Sequence, residues 1–312
     1  MQEIKNVIIC GLGAIGCIYA DIIKRFPDVN LKILVDKKRY ERYKSNPLVF
    51  NEKIMNLDYI LPDDKSFKAD LIIVATKNNG LESAIKYIKN FINDKTIIMS
   101  LLNGVISEKI IASEYGIDKV LYSYFIGHSA MREGRFVFQD GVHKIVFGSP
   151  YSTNNIYIVK SFFDKVGINY EIPDDIIYSM WLKFMLNVSS NQISAVLRYT
   201  FGEMHNNEKC MFFIKSVMEE VKQIAKAEGV NNTETMVDDA LKILKVMSPD
   251  GKTSMLQDVE SGRDTEVDIF AGYIIECGKK YNILTPYNLV LKGLIDIIQE
   301  NNYNNLIIYN SQ

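Results

Sequence analysis

Through the first half of the chain, short apolar runs alternate with amphipathic stretches. Ile4 to Cys10, Leu31 to Val35, Leu71 to Ala75, Thr96 to Leu101 and Val120 to Phe125 are largely apolar and of strand length, while Ala14 to Arg25, Leu81 to Phe91 and Ile106 to Tyr115 carry helical spacing. A strand apolar at successive positions is buried on both faces, so the pattern predicts a doubly wound parallel sheet with helices on each side. From Gly134 to Gly148 the pattern becomes alternating, Phe136 and Phe138 and then Ile145 and Phe147 around Asp140-Gly141, which predicts an antiparallel hairpin closing that sheet. A helix over Ser152 to Lys165 and a short strand over Ile168 to Glu171 complete this half.

Beyond Pro173 no strand-like alternation remains. Helices are predicted at Asp174 to Tyr199, Glu208 to Glu228, Thr233 to Val246, Thr265 to Tyr281 and Pro286 to Glu300, with Pro249-Asp250-Gly251 as a turn. The fold class is therefore α/β with an all-α C-terminal domain, divided into residues 1–172 and 173–312.

Composition narrows the functional classes. The 36 Lys+Arg against 38 Asp+Glu leave a net charge of −2, which is no electrostatic footprint for nucleic acid. Cys10, Cys17, Cys210 and Cys277 are scattered without a C-x-x-C pair, and His128, His143 and His205 are not spaced as ligands. Buried thiols in a reducing compartment and no metal centre are expected. No run approaches the ~18 apolar residues of a membrane span. Glu3 and Lys5 precede a glycine-interrupted run unlike a secretion signal, so a cytoplasmic location is expected.

Gly11-Leu12-Gly13-Ala14-Ile15-Gly16 follows the first strand and opens the first helix, the setting a dinucleotide-binding turn requires. In that reading Gly11 makes the turn, Gly13 lets backbone N–H groups approach a pyrophosphate, and Gly16 permits close helix packing; the anion faces the positive end of the helix. Asp36 lies twenty residues on, where a carboxylate accepts hydrogen bonds from the adenosine ribose diol and favours NAD(H). Lys37, Lys38 and Arg39 follow at once and offer charge for a 2′-phosphate, or form a solvated start to a helix.

In the helical half Lys183, Asn187 and Asn191 recur at i, i+4 and i+8, so they share one helix face among apolar neighbours. Such a row is either the wet side of an amphipathic helix or the polar wall of a ligand site. Ser254, Gln257, Asp258, Arg263, Glu266 and Asp268 form a second polar group, which helix capping explains without chemistry.

These residues together resemble the ketopantoate reductase family (2-dehydropantoate 2-reductases). The resemblance runs from about residue 4 to 300. It is carried by Gly11 to Gly16, Asp70 to Lys77, Leu102-Asn103-Gly104, Gly127-His128-Ser129-Ala130, Trp181-x-Lys183-x3-Asn187-x3-Asn191, and Ser254-Met-Leu-Gln-Asp258 with Glu266. It implies NADP(H)-dependent reduction of 2-dehydropantoate to (R)-pantoate, for pantothenate and coenzyme A synthesis. Lys183 would be the general acid and Glu266 would position it and the substrate hydroxyl. Asn187, Asn191, Ser254 and Asn103 would bind the small 2-keto acid. The cofactor would be held by Gly11, Leu12, Gly13, Ala14, Ile15, Gly16, Asp36, Lys37, Lys77 and Asn103, and His128 would make a structural hydrogen bond. Asp36 departs from the basic residue common in NADPH-using members, which keeps NAD(H) open. A paralogue acting on another 2-keto acid and a non-catalytic dinucleotide-binding regulator are the alternatives. A homodimer through apolar helix faces is compatible with the sequence; neither a membrane nor a nucleic-acid partner is expected.

Overall fold

The computed structural model describes residues 2–127 and 131–310, with side chains to residue 302. His128, Ser129 and Ala130 of the fourth motif lie outside the described residues. The chain divides into two compact units, Met1–Ile176 and Ile177–Gln312.

In the first unit the long strands are β1 (Asn6–Cys10), β2 (Asn30–Leu34), β6 (Leu71–Val74), β7 (Ile97–Ser100), β8 (Val120–Gly127) and β11 (His143–Gly148). Shorter ones are β3 (Val49–Phe50), β4 (Lys53–Ile54), β5 (Tyr59–Ile60), β9 (Met131–Glu133), β10 (Phe136–Phe138) and β12 (Tyr170–Glu171). The helices are α1 (Ala14–Ile23), α2 (Lys37–Ser45), α3 (Leu81–Ile88), α4 (Ser107–Tyr115) and α5 (Asn155–Val166). The main sheet has the order β12-β11-β8-β7-β6-β1-β2-β5. From β8 to β5 it is parallel, and β11 runs antiparallel to β8. Strand alternation splits the core in two: Val7, Ile9, Ile33, Ile73 and Met99 face one cluster, while Ile8, Cys10, Leu34, Ile72 and Ile98 face the other. Period two thus buries both faces, as the unbroken apolar runs require.

The expected hairpin of Phe136–Phe138 with Ile145–Phe147 does not form. β10 pairs antiparallel with β9 and parallel with β3 in a separate four-stranded sheet, β4-β3-β10-β9, whereas β11 joins the main sheet. Gly134, at φ +56°, makes the actual hairpin turn, and Asp140-Gly141 only redirects the chain between two sheets. Asp-Gly signals a turn; it does not select the strand's partner.

The second unit is helical: α6 (Ile176–Leu186), α7 (Gln192–Leu197), α8 (Phe201–His205), α9 (Glu208–Ala227), α10 (Met236–Lys245), α11 (Ser254–Glu260), α12 (Tyr273–Tyr281) and α13 (Pro286–Asn310). Two helices expected to be continuous are interrupted by π turns, at Asn187–Asn191 between α6 and α7 and at Asp268–Gly272 before α12. The interior is built on α9, whose Ile214, Val217, Met218, Val221 and Ile224 are buried. Among the described residues no helix is long and apolar enough to cross a membrane.

Candidate active site

Parallel strands carry their carboxyl ends to one edge, so the loops after β1, β2, β6 and β7 lie side by side. The chain leaves β1 in one direction through β2 and β5 and returns on the other side through β6, β7 and β8, making the β1/β6 boundary the crevice where such sheets bind ligands. Gly11 sits there at φ +106°, and a Cβ on it would lie 2.7 Å from the backbone of Ala75 and Thr76. At Gly16 a Cβ would lie 2.0 Å from the Gly11 carbonyl oxygen. Gly13 differs: with φ −71° and only the Ala75 oxygen 3.8 Å from an added methyl, neither backbone nor packing demands glycine. Its missing side chain leaves open space in front of the start of α1, which has no side-chain cap and no acidic residue in its first turn.

The neighbouring loops complete this edge. Thr76 Oγ1 is buried without a hydrogen-bond partner among the described residues, on the residue whose backbone nitrogen lies against Gly11. Exposed Lys77 precedes the turn Asn78–Gly80, and Asn78 Nδ2 donates to the Asn103 carbonyl at 3.1 Å, tying the β6 and β7 loops together. Asp70 is at the opposite end of β6, accepting from the Lys5 and Asn6 N–H groups at 3.0 and 2.8 Å, a purely structural place in its motif. The glycine cradle, the uncapped helix start and the orphaned Thr76 hydroxyl fit a dinucleotide.

β2 ends at Leu34, and Asp36 caps α2: its Oδ1 accepts from the Arg39 N–H at 2.7 Å and its Oδ2 pairs with the Arg39 guanidinium. Burial pushes this carboxyl up, but the Arg39 N–H and guanidinium outweigh it and hold it below its ordinary value. Asp36 is therefore charged at neutral pH. Lys37 is exposed on the first turn of α2.

Sequence reasoning missed Arg132. Its Nη1 donates to the Leu12 carbonyl inside the glycine loop, Nη2 reaches Tyr43 Oη at 3.3 Å, and Nε donates to the Gly134 carbonyl at 3.0 Å. The hairpin turn at Gly134 carries Arg132 on the ribbon that reaches the loop, a placement the sequence pattern does not disclose.

In the second unit the polar row is no wet face. Asn191 is 6% exposed, and Lys183 and Asn187 are half-buried. Asn191 Nδ2 donates to Ser254 Oγ at 3.3 Å, so two predicted site residues from distant parts of the sequence meet. Thr253, not Ser254, caps α11 through the Leu256 N–H, which leaves the Ser254 hydroxyl to Asn191. Asp258 pairs with Arg263 at 2.8 Å, and Gln257 donates to the Lys252 carbonyl at 3.1 Å. Half-buried Glu266 lies two residues before the second π turn, and its carbonyl accepts the Phe270 N–H at 3.2 Å. Helix α6, which bears Lys183, and the helical segment that follows Glu266 are locked by rings: Phe184 contacts Phe270 and Tyr273, and Trp181 contacts Tyr273, at centroid distances of 6.1, 5.8 and 6.3 Å. The two π turns pack on each other. Such turns recur at functional sites, because each re-aims side chains that a regular helix would bury.

Residues 7–151 match the profile described as ketopantoate reductase PanE/ApbA, and residues 175–299 match its C-terminal counterpart. A 2-dehydropantoate 2-reductase of Streptococcus pyogenes is 28% identical over 298 residues, covering 93% of this chain and 96% of the relative. A PanE/ApbA family ketopantoate reductase from Ralstonia eutropha JMP134 superposes with TM-score 0.80 at 24% identity, and D-mandelate dehydrogenase in complex with NADH and anilino(oxo)acetate with TM-score 0.83 at 23%. Each superposition covers 96% of this chain and 99% of the other, so the fold is shared along its whole length. Both halves match in order, and the chain belongs to the ketopantoate reductase family of NAD(P)-dependent oxidoreductases.

Proposed function

We propose that this protein reduces 2-dehydropantoate to (R)-pantoate. The observation that carries the reading is the Asn191–Ser254 hydrogen bond beside half-buried Lys183 and Asn187. Together these residues offer amides, a hydroxyl and an ammonium donor, groups suited to a carboxylate, a hydroxyl and a carbonyl. Bound NAD(P)H supplies the hydride. The carbonyl oxygen gains negative charge as its carbon is reduced, and Lys183 Nζ gives it a proton, stabilising the transition state more than the ground state. Asn187, Asn191, Ser254 and Asn103 orient the keto acid without adding a competing cation, and Glu266 positions Lys183 and the substrate hydroxyl. The first unit holds the dinucleotide through Gly11 to Gly16, Asp36, Lys37, Lys77 and Asn103.

The test is steady-state oxidation of NADH and NADPH by the purified protein with 2-dehydropantoate, and pantoate identified as product. Turnover with other 2-keto acids but not this one would replace the substrate. A second reading, NADH-dependent reduction of a different 2-keto acid, is favoured by Asp36, whose fixed negative charge opposes a 2′-phosphate.

A further inference from the structure

A π turn breaks the regular i→i+4 ladder and leaves carbonyl groups out of register. In this protein three side chains cover them. Ser189 Oγ donates to the Met185 carbonyl at 2.7 Å, Ser190 Oγ to Leu186 at 2.6 Å, and Gln192 Nε2 to Val188 at 2.6 Å. Gln192 Nε2 also donates to Asn288 Oδ1 at 3.1 Å, and Asn288 Nδ2 donates to Glu220 Oε2 at 2.7 Å. The same carboxylate accepts the N–H groups of Tyr287 and Asn288 at 2.8 and 3.1 Å. Gln192 and Asn288 are fully buried and Glu220 is 5% exposed.

Capping of α13 explains the two backbone bonds to Glu220. It does not explain why the buried chain continues through the Asn288 amide into Gln192 and ends on a carbonyl of the π turn. Burying a carboxylate and two amides is costly where apolar side chains would fill the same space, and Gln192 Oε1 is left without a hydrogen-bond partner among the described residues; the bonds through Gln192 Nε2 and Asn288 nevertheless favour the backbone arrangement that keeps them. The arrangement selected here is the one that sets Asn187 and Asn191, with Lys183 one turn earlier.

We infer that Gln192, Asn288 and Glu220 are positioning residues that hold the π turn in the geometry binding the keto acid. The inference rests on the proposed role of Lys183, Asn187 and Asn191. Gln192→Met and Asn288→Leu remove the polar chain and keep comparable volume, and their double variant tests whether they act as one unit. A displaced binding group costs up to about 100-fold, so the keto-acid KM should rise about tenfold or more and kcat/KM fall about 10- to 100-fold. The Kd for NAD(P)H should stay within about twofold, and the double variant should be no worse than the poorer single one, the signature of coupled sites.

A purely structural network would lower the folded fraction, reducing kcat while leaving KM alone; that result, or multiplicative losses in the double variant, overturns the inference. Where Gln192→Met yields no folded protein, Ser190→Ala removes one covering bond at little volume cost and must still raise KM. Lys183→Ala separates the two claims. If it leaves turnover intact, the proposed site is wrong; if it abolishes turnover while Gln192→Met changes nothing, only the positioning role falls.

Discussion

Gly13 and Gly16 lie three residues apart in the same loop, yet opposite effects are expected when each is changed to alanine. At Gly13 the backbone is already in a region open to alanine, and the new methyl would meet only the Ala75 oxygen at 3.8 Å. Removing glycine's excess freedom in the unfolded chain stabilises by about 0.4–1 kcal/mol, so thermal stability should hold or rise slightly. The methyl nevertheless occupies the space through which the loop's N–H groups would approach a pyrophosphate. Overpacking by one such group costs about 1–3 kcal/mol, and NAD(P)H binding should weaken about 5- to 150-fold. At Gly16 the methyl would lie 2.0 Å from the Gly11 carbonyl oxygen, a backbone atom with nowhere to go. There the penalty falls on folding. At about 2–4 °C per kcal/mol for a unit of this size, Tm should fall by about 2–12 °C. Fluorescence titration of NADPH and NADH, with differential scanning calorimetry of each variant, reads both quantities. Unchanged cofactor affinity in Gly13→Ala would mean that the space before α1 does not admit the pyrophosphate, and equal losses of Tm in the two variants would mean that the two glycines are not packed differently.

Lys183→Ala should lower kcat about 10²- to 10⁴-fold, the range of a lost general acid, with cofactor Kd within about twofold; an unchanged kcat removes Lys183 from the chemistry. Asp36→Asn keeps a good cap for α2 and deletes the charge, so the NADPH/NADH ratio of kcat/KM should rise about five- to tenfold, the worth of about 1 kcal/mol between close charges in water. An unmoved ratio would mean that Asp36 does not discriminate. Because Arg39 holds the Asp36 carboxyl below its ordinary 3.8, its stabilisation is complete at neutral pH and is lost as pH falls from 3.8 through the lower folded value. The Tm difference between wild type and Asp36→Asn should accordingly shrink toward pH 3, and a gap constant across that range counts against the pairing. Burial pushes the Cys10 and Cys17 thiols up to about 12, so neither should react with iodoacetamide in the native protein at pH 8; rapid labelling of either contradicts their burial.

The long elements were legible because burial on two faces leaves a simple imprint, as in Val7 to Cys10 or Leu71 to Val74, where every residue is apolar. Two-residue strands such as Val49–Phe50 and Tyr59–Ile60 are too short for any period to register, and their pairing is decided by tertiary neighbours. The polar row pointed to Asn191 and the family resemblance to Ser254, but the spacing of Lys183, Asn187 and Asn191 reads as ordinary helix. Nothing in that spacing discloses a π turn. The clue lay beside it: Ser189, Ser190 and Gln192 are polar at positions an uninterrupted core helix would keep apolar, and each proves to bond a carbonyl. Arg132 was hidden for a different reason. Its partner, the Leu12 carbonyl, is a backbone atom 120 residues away, and no side-chain pattern records such a contact.

That contact bears on the order in which the protein matures during synthesis. The glycine loop is translated well before its clamp, which arrives only with the ribbon Met131–Phe138, and the strand flanking β1 opposite β2 arrives only with Leu71–Val74. At about 5–20 residues per second, several seconds separate the loop from the residue that fixes its carbonyl. A nascent chain halted before residue 132 carries the full glycine motif without the guanidinium that bonds its Leu12 carbonyl, so the loop gains its last contact only after most of the first unit has been translated.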